Sequence, residues 1–280
     1  MSTATPSALE RLTEGGALAA FGLVERGRIY DLGMPLDESI PQGNPGAFTP
    51  FSFTWRVTPE STGSSDGYQY AAETIVGCPH VSTHIDALVH CQAEGRVFGG
   101  MSAAEARGDR GFVVHGAETI RPILGRAVIL DIAGLHGVEA LADGHEVTVA
   151  ELEAAARAAS VEIRSGDVVL VRTGKIREFF ADPVAFQAGQ PGVGVDAAVW
   201  LYEQGMAALG TDTTGTEPLP FGDPANTTHR AMLVERGVHL IENLDLTAVC
   251  TDRIAEGLFI CLPLKITGAT GSWVRPVLVV

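Results

Sequence analysis

The stretch from His80 to His90 constrains the fold of this chain more than any other. It reads H-V-S-T-H-I-D-A-L-V-H and holds three of the chain's eight histidines together with one aspartate. Histidine and carboxylate groups at such close spacing are typical ligands of a borderline divalent ion such as Zn2+ or Mn2+. His80, His84 and Asp86 are therefore candidate metal ligands, with His90 close by in the sequence.

Neither a straight strand nor a straight helix could bring the candidate ligands of this stretch to one ion. A strand rises about 3.3 Å per residue, so His80 and His90 would lie about 33 Å apart although they share a face. In a straight helix His80 and His84 share a face, but Asp86 points away. We therefore predict a bend, with extended backbone, a turn near Ser82-Thr83 and then a helix. The alternative is a surface helix that carries four polar residues.

The same stretch resembles the signature H-x-G-T-H-x-D-x-P-x-H of the cyclase family, which includes bacterial kynurenine formamidases and isatin hydrolases. The matching positions are His80, Thr83, His84, Asp86 and His90. Ser82 stands where the family has glycine, which would permit a positive φ. Leu88 stands where the family has proline, which would fix φ and lack an N–H. Neither departure removes a candidate ligand.

A second region with candidate ligands spans residues 210–246. It opens with the polar turn "GTDTTGTEP" after a predicted strand, and His229 follows on a predicted helix that Gly237 ends. Glu242 ends the predicted strand "VHLIENLDL" on the same face as Val238 and Leu240, which points its carboxylate inward. A buried carboxylate is costly unless it is paired or bound to a metal.

The cyclase family has a similar pattern, a histidine followed about a dozen residues later by Glu-Asn-Leu. The resemblance implies that His80, His84 and Asp86 bind one ion, and that Asp86 joins His229 and Glu242 on a second. Some relatives hold a single ion, so both one and two ions stay open. The expected cofactor is Mn2+ or Zn2+.

Charge and composition exclude two classes of partner. The net charge of −15 and the pI of about 4.9 argue against nucleic acid and an anionic membrane surface. No apolar run reaches the roughly 18 residues of a membrane helix, and residues 1–11 lack a signal-peptide pattern. The four cysteines form no C-x-x-C pair and predict no disulfide framework. We expect a cytoplasmic protein that acts on a small molecule.

Short strands outnumber helices, and helices fall between strands, which predicts an α/β fold. The family resemblance runs from about Ile29 to Val279 and implies a swivelling β/β/α domain with a barrel-like central sheet and outer helices. We expect residues 1–280 to form one such domain, with 1–27 as an N-terminal helical extension. The predicted helices cover 8–26, with an interruption at Gly15-Gly16, 148–160 and 196–204. The predicted strands cover 28–32, 51–55, 70–76, 125–132, 168–172 and 207–211, and two C-terminal strands are joined by a glycine-rich turn.

The resemblance implies a metal-dependent hydrolase that cleaves a non-peptide C–N bond in an aryl formamide or a cyclic amide. The metal would lower the pKa of water from about 15.7 to near 7, and the resulting hydroxide would attack the carbonyl. His90 is the predicted general acid/base, because the usual histidine pKa of about 6.5 suits proton transfer. A role for His90 as a fourth ligand stays open. The family is often oligomeric, which implies a homodimer or homotetramer.

Four aromatic residues are candidates for the wall of a substrate pocket. Phe51, Phe53 and Trp55 alternate as in a strand, so they either pack in a sheet or cover a flat substrate. Phe221 is the fourth candidate.

Two other functions stay open. One is a metal-dependent cyclase or dehydratase that acts on a polyketide-like substrate, and the other is a non-catalytic protein that binds a metal or ligand. The four histidines that belong to no motif are interpreted as structural or exposed; they are His115, His136, His145 and His239.

Overall fold

Strands supply most of the framework of this protein. A computed structural model describes residues 6–43, 47–61, 67–220 and 222–280. The strands in this part of the chain are β1 (Ile29–Asp31), β2 (Ser52–Val57), β3 (Ala72–Val76), β4 (His84–Asp86), β5 (Arg107–Gly108), β6 (Gly111–Phe112), β7 (Ile123–Asp131), β8 (Glu146–Val147), β9 (Val168–Arg172), β10 (Gly192–Val193), β11 (Ala208–Thr211), β12 (His239–Glu242), β13 (Glu256–Cys261), β14 (Gly271–Trp273) and β15 (Val277–Val279).

Helices are short and lie between the strands. The α-helices are α1 (Glu14–Phe21), α2 (Ala103–Ala106), α3 (Ile132–Leu135), α4 (Val149–Ala159), α5 (Glu178–Ala181), α6 (Pro183–Ala188), α7 (Val195–Glu203) and α8 (Thr247–Thr251). Five 3-10 segments (Ala8–Arg11, Pro59–Ser61, Phe98–Gly100, Ala117–Thr119 and Lys175–Arg177) and one π-helix (Arg230–Val234) complete the described helical elements. None of the helices in the described ranges has the length and apolar character needed to cross a membrane.

The main sheet has nine strands in the order β1-β15-β13-β7-β9-β11-β12-β4-β14. Its four central strands, β7, β9, β11 and β12, run parallel, and their neighbours on both sides run antiparallel. Val168 and Leu170 of β9 belong to one apolar cluster, and Val169 and Val171 belong to the other. Burial on both faces explains why β9 reads as a continuous apolar run rather than as an alternating pattern.

The positions of the last two strands in the strand order show that the sheet curls. β14 is at one edge beside β4, whereas β15 lies between β1 and β13 near the other edge. In a flat sheet these positions would be about 34 Å apart, yet residues 274–276 can span only about 14 Å. The two margins must therefore approach each other, as the predicted barrel-like sheet requires. Of the two predicted C-terminal strands, the one before the glycine-rich turn corresponds to β13, and the one after it is divided into β14 and β15. β13 pairs antiparallel with β15, whereas β14 pairs with β4.

The local predictions held best where a signal was complete within a few residues. The strand over 168–172 is confirmed, and α4 begins with the predicted capping box of Thr148 and Glu151. The helix predicted over 8–26 is shorter than expected, and its break lies at Leu12-Thr13 rather than at Gly15-Gly16, which are inside α1. Leu9 and Leu12 are buried in the core, and the chain leaves its 3-10 turn at Leu12 before Thr13 caps α1.

Candidate metal centre

The first half of the centre is built by a turn and the short strand β4. His80 precedes a turn at Ser82, whose φ of 58° lies in the left-handed region, and β4 then carries His84 and Asp86. β4 pairs with β12 on one side and with β14 on the other, and its three residues are buried. The predicted bend is present. The helix predicted after it is wrong, because pairing along both edges holds this segment extended.

Both departures from the family signature are accommodated. Ser82 adopts a conformation that glycine adopts without strain, and its hydroxyl donates to the carbonyl oxygens of Met34 (3.1 Å) and Pro35 (3.2 Å). Ser82 therefore ties the turn to the loop that follows β1. Leu88 is 2% exposed and packs in an apolar cluster, so it fills the core.

The second half of the centre comes from β12 and from the segment before the π-helix. Glu242 ends β12 and lies opposite His84 in the antiparallel pair of β12 and β4. His229 stands at the start of the π-helix Arg230–Val234. The predicted strand and helix both exist, although the helix is a single π turn. Glu242 points inward as predicted and is 2% exposed.

Asp86 and Glu242 lie between two groups of histidines, with His80 and His84 on one side and His229 on the other. Each carboxylate has one oxygen facing each group. Asp86 Oδ1 lies 2.8 Å from His80 Nδ1 and 3.5 Å from His84 Nε2. Asp86 Oδ2 lies 3.3 Å from His229 Nε2. Glu242 Oε2 and Oε1 lie 3.4 Å from His84 Nε2 and 3.4 Å from His229 Nε2, respectively. The structure thus brings all the predicted ligands together, with both carboxylates between the two groups.

The polar atoms of this cluster fit a divalent ion. His80 Nδ1 and both carboxylate oxygens of Asp86 are buried and have no hydrogen-bond partner within the described part of the chain. Burying polar atoms without hydrogen bonds is costly, and native structures seldom do so. A cation held by imidazole nitrogens and carboxylate oxygens would satisfy these atoms, and this donor set suits Zn2+ or Mn2+.

Neighbouring groups fix which ring nitrogen of each histidine faces the centre. Nδ1 of His84 lies 2.9 Å from the carbonyl oxygen of Ser82, so Nδ1 carries a hydrogen and Nε2 is the nitrogen that an ion would use. Nε2 of His80 lies 2.8 Å from the Thr270 hydroxyl, and Nδ1 then faces Asp86. These contacts orient both rings before any ion binds.

Glu217 is a site residue that the sequence analysis missed. Its Oε2 accepts from Nδ1 of His229 at 2.5 Å and from the His229 backbone N–H at 3.2 Å. Gln190 holds the turn that carries Glu217, since its side-chain amide donates to the Glu217 carbonyl at 2.7 Å. The turn "GTDTTGTEP" was recognised as unusually polar, but no spacing rule linked Glu217 to His229.

The buried carboxylates of the centre favour positive charge on the groups around them. Burial by itself would lower the pKa of His84, but the nearby carboxylates of Asp86 and Glu242 raise it to about 10. Burial likewise opposes a raised pKa at His229, and Glu217, Glu242 and Asp86 outweigh it. Burial would raise the pKa of Asp86, yet the surrounding histidines hold it well below its usual range. A divalent cation supplies the charge that these carboxylates attract.

His90 lies beside the centre without a fixed partner. Its ring stacks on His80 with 3.8 Å between centroids and 24° between planes. Burial lowers the pKa of His90 to about 3, so the ring is neutral near pH 7. In the described ranges neither ring nitrogen is hydrogen-bonded, and the ligand atoms of His90, Asp86 and His229 lie within 4.8 Å of one another. This position suits either a proton acceptor or a further ligand.

A cavity of about 440 Å³ opens onto the cluster. Its wall combines the site histidines with an apolar side and several amides. The lining residues are Gly43, Phe48, His80, His84, His90, Gln187, Gln190, Thr214, Gly215, Glu217, Leu219, His229 and Glu242. A larger surface cavity of about 820 Å³ near Arg275 contains none of the candidate ligands. The smaller cavity is therefore the candidate active site.

The aromatic residues predicted to contact substrate do not line this cavity. Phe51 is buried and packs edge-on against Trp273, with ring centroids 6.0 Å apart. Phe53 and Trp55 lie on β2, contact each other and are 40% and 56% exposed. The alternation of Phe53 and Trp55 therefore reflects a strand of the β2–β3 hairpin and not the wall of this cavity. Phe221 lies outside the described residues.

The apolar side of the cavity is formed by two residues that no pattern singled out. Phe48 stacks near His80 with ring centroids 5.9 Å apart, and Leu219 lines the same cavity.

Comparisons with known proteins agree with this geometry. A profile of the family described as "Putative cyclase" matches residues 30–218. A kynurenine formamidase of Bacillus cereus is 28% identical over 253 residues, which cover 89% of this chain and 95% of that protein.

Two solved structures share the fold. One, described as a novel cyclase, is 26% identical with a TM-score of 0.89 and covers 98% of this chain and 94% of its own. An isatin hydrolase bound to the product analogue thioisatinate is 22% identical with a TM-score of 0.66, covering 95% and 98%.

Proposed function

We propose, since the chain belongs to the cyclase family, that it is a metal-dependent hydrolase that cleaves a non-peptide C–N bond in an aryl formamide or a cyclic amide. The observation that carries this proposal is the position of Asp86 and Glu242 between His84 and His229 beside the cavity of about 440 Å³. Relatives named as a kynurenine formamidase and an isatin hydrolase support the amide as the substrate class.

Either one or two ions of Mn2+ or Zn2+ would use these side chains. His80, His84 and Asp86 would hold the first ion, because their ligand atoms lie within 4.8 Å of one another. Asp86, His229 and Glu242 would hold a second. Asp86 is common to both sets, because Oδ1 lies nearest to His80 and His84 and Oδ2 lies nearest to His229.

The residues around the centre would divide the work of hydrolysis. A bound divalent ion supplies a Lewis acid that polarises a carbonyl and lowers the pKa of water to near 7. His90 would take a proton from the attacking water and deliver it to the nitrogen as the C–N bond breaks. Glu217 would keep Nε2 of His229 facing the centre. Phe48 and Leu219 offer an apolar surface on which a flat ring can pack.

We also propose that the protein is a homo-oligomer. β2 and β3 form a separate two-stranded sheet, and such a hairpin is marginally stable alone in water. Trp55 and Ile75 on this hairpin are 56% and 49% exposed. A second copy of the chain covering these side chains would explain an exposed apolar surface of this kind.

The first experiment is elemental analysis of purified protein, followed by assay of the same samples on an aryl formamide and on isatin. Mass spectrometry would detect the ring-opened product of isatin, which gains one water, and the amine that is released together with formate from the aryl formamide. Wild type is compared with a His84→Ala, Asp86→Ala double variant and with His115→Gln, a histidine control outside the cavity.

We expect bound Mn or Zn in wild type and His115→Gln, loss of metal and turnover in the double variant, and hydrolysis of at least one substrate. Absence of divalent metal in reconstituted wild type would overturn the metal centre. Metal binding without hydrolysis of any amide in a broader panel would overturn the reaction class.

A further inference from the structure

A second group of metal-ligating side chains lies outside the candidate active site. His136 follows α3, His145 precedes β8, and Glu151 lies in the first turn of α4. Nε2 of His136 is 2.6 Å from Glu151 Oε1, and Nε2 of His145 is 2.8 Å from the same oxygen. One ligand atom from each residue thus lies within 4.8 Å of the other two. None of the three lines the 440 Å³ cavity.

This surface cluster repeats the local geometry of half of the main centre. The rings of His136 and His145 are 5.4 Å apart with planes at 76°. In the main centre, the rings of His80 and His84 are 5.2 Å apart with planes at 89°. In each case two imidazole nitrogens converge on one carboxylate oxygen, which is Oε1 of Glu151 here and Oδ1 of Asp86 there.

Glu151 is held rigidly in this orientation. Its Oε2 accepts from the Thr148 backbone N–H at 2.8 Å and from the Thr148 hydroxyl at 2.7 Å, which completes the capping box of α4. Oε1 is therefore left to the two histidines. The His145 backbone is also fixed, because its carbonyl accepts from Gly192 N–H at 3.0 Å. A site with little left to order on binding loses less affinity to conformational entropy.

We propose that His136, His145 and Glu151 form a second divalent-cation site that takes Zn2+ or a similar borderline ion through two imidazole nitrogens and one carboxylate oxygen. The side chains of His136 and His145 are 42% and 30% exposed, so water completes the coordination and the ion exchanges with solvent. The ion joins the end of α3 to the start of α4. Its role is structural and does not depend on the proposed hydrolase reaction.

For two reasons, we expect the affinity of this site for a cation to be lower than that of the main centre. The positive end of the α4 dipole faces the ion and opposes cation binding, although the Glu151 charge offsets it. Protons also compete for the histidine nitrogens, because metal ligands must be deprotonated. Without metal, the same atoms form the two hydrogen bonds to Oε1. Binding therefore requires an ion that prefers nitrogen ligands, and Mg2+ and Ca2+ are rejected.

The test is Zn2+ binding at pH 8 by equilibrium dialysis and elemental analysis on the full chain. Four proteins are compared: wild type, His136→Gln with His145→Gln, the main-centre double variant His84→Ala with Asp86→Ala, and His115→Gln. Glutamine keeps a side-chain N–H that can still donate to Glu151, so the glutamine pair removes the metal ligands with little other change.

We expect the glutamine pair to bind one Zn2+ per chain fewer than wild type at saturation, with unchanged hydrolytic activity. The main-centre variant should retain this one Zn2+, and Zn2+ should raise its Tm. Equal stoichiometry in wild type and the glutamine pair would overturn the site, whatever the activity of the main centre.

Should the main-centre variant fail to fold, Glu151→Gln in the wild-type background decides instead. Its amide oxygen still accepts from Thr148, so α4 remains capped. We expect Zn2+ binding at this site to weaken at least tenfold, and unchanged binding would overturn the proposal.

Discussion

Nδ1 of His229 and Oε2 of Glu217 lie 2.5 Å apart, and this contact decides how the centre presents its third histidine. The carboxylate holds a hydrogen of His229 on Nδ1, so Nε2 is the nitrogen that faces Asp86 and Glu242 and that an ion would use. Carboxylates behind metal-binding histidines commonly serve this purpose.

Removing the Glu217 carboxylate should therefore weaken metal binding. We expect Glu217→Ala to lower metal affinity by about 10- to 100-fold, and Glu217→Gln to lower it less because its amide oxygen still accepts from Nδ1. Dialysis against graded chelator followed by elemental analysis measures the change. Glu153→Gln, an exposed glutamate on α4, is the control. Wild-type affinity in Glu217→Ala would show that His229 needs no support.

His90 can be separated from the ligands by its effect on metal content. If His90 moves protons, His90→Ala should keep the wild-type metal stoichiometry and lose about 10²- to 10⁴-fold in turnover. Parallel elemental analysis and assay on the same preparation give both quantities. Loss of metal together with turnover would make His90 a ligand instead.

At Ser82, substitution by glycine should destabilise the protein less than substitution by alanine, which is the reverse of the usual order. Ser82→Ala keeps the positive φ and loses the hydroxyl contacts to Met34 and Pro35, so we expect a loss of about 1 kcal/mol in the free energy of unfolding. Ser82→Gly loses the same contacts but removes a left-handed strain of about 1–2 kcal/mol, which opposes its larger backbone entropy. Denaturant unfolding should find glycine the milder change. A less stable glycine variant would contradict this balance.

Glu151 should make stability depend on pH in the acid range. Burial would raise its pKa, but hydrogen bonds from Thr148, His136 and His145 lower it from 4.5 to about 2. As pH falls below about 4.5 the unfolded chain takes up the proton first, so the stabilisation is present above that pH and lost towards pH 2. The Tm difference between wild type and Glu151→Gln should shrink over this range. Glu153→Gln should show no such trend.

The hairpin of β2 and β3 offers a test of oligomerisation. We expect Trp55→Ser with Ile75→Ser to lower the mass measured by light scattering, because the two substitutions remove apolar side chains from the proposed contact between copies. Val184→Ser is the matched control, since Val184 is 80% exposed on α6. A wild-type chain that is monomeric at all concentrations would refute the proposed homo-oligomer.

The sequence predicted the centre better than the cavity around it. His80, His84 and Asp86 lie within seven residues, so their spacing alone required a bend that brings them together. Glu217 and His229 meet only because the turn after β11 is held by Gln190, a contact that no local pattern encodes.

Secondary structure was predicted where the signal was local and lost where the fold overrode it. The capping box at Thr148 depends on four adjacent residues and correctly placed the start of α4. The segment after Ser82 has no strong preference of its own, and pairing with β12 and β14 makes it a strand. Phe53 and Trp55 alternate as strand residues do, yet alternation could not tell a pocket wall from an outer hairpin.

Residues 274–276, which join β14 to β15, constrain the order in which parts of the sheet can fold. Each strand pairs at a different margin of the curled sheet, so neither can settle until the other margin is in reach. Thr270, which contacts His80 across 190 positions of chain, leads directly into β14. Contacts so distant in sequence form slowly. We therefore expect the ligands to reach their final positions in a late, concerted step, so that an ion added to the unfolded chain binds a finished site rather than starting its assembly.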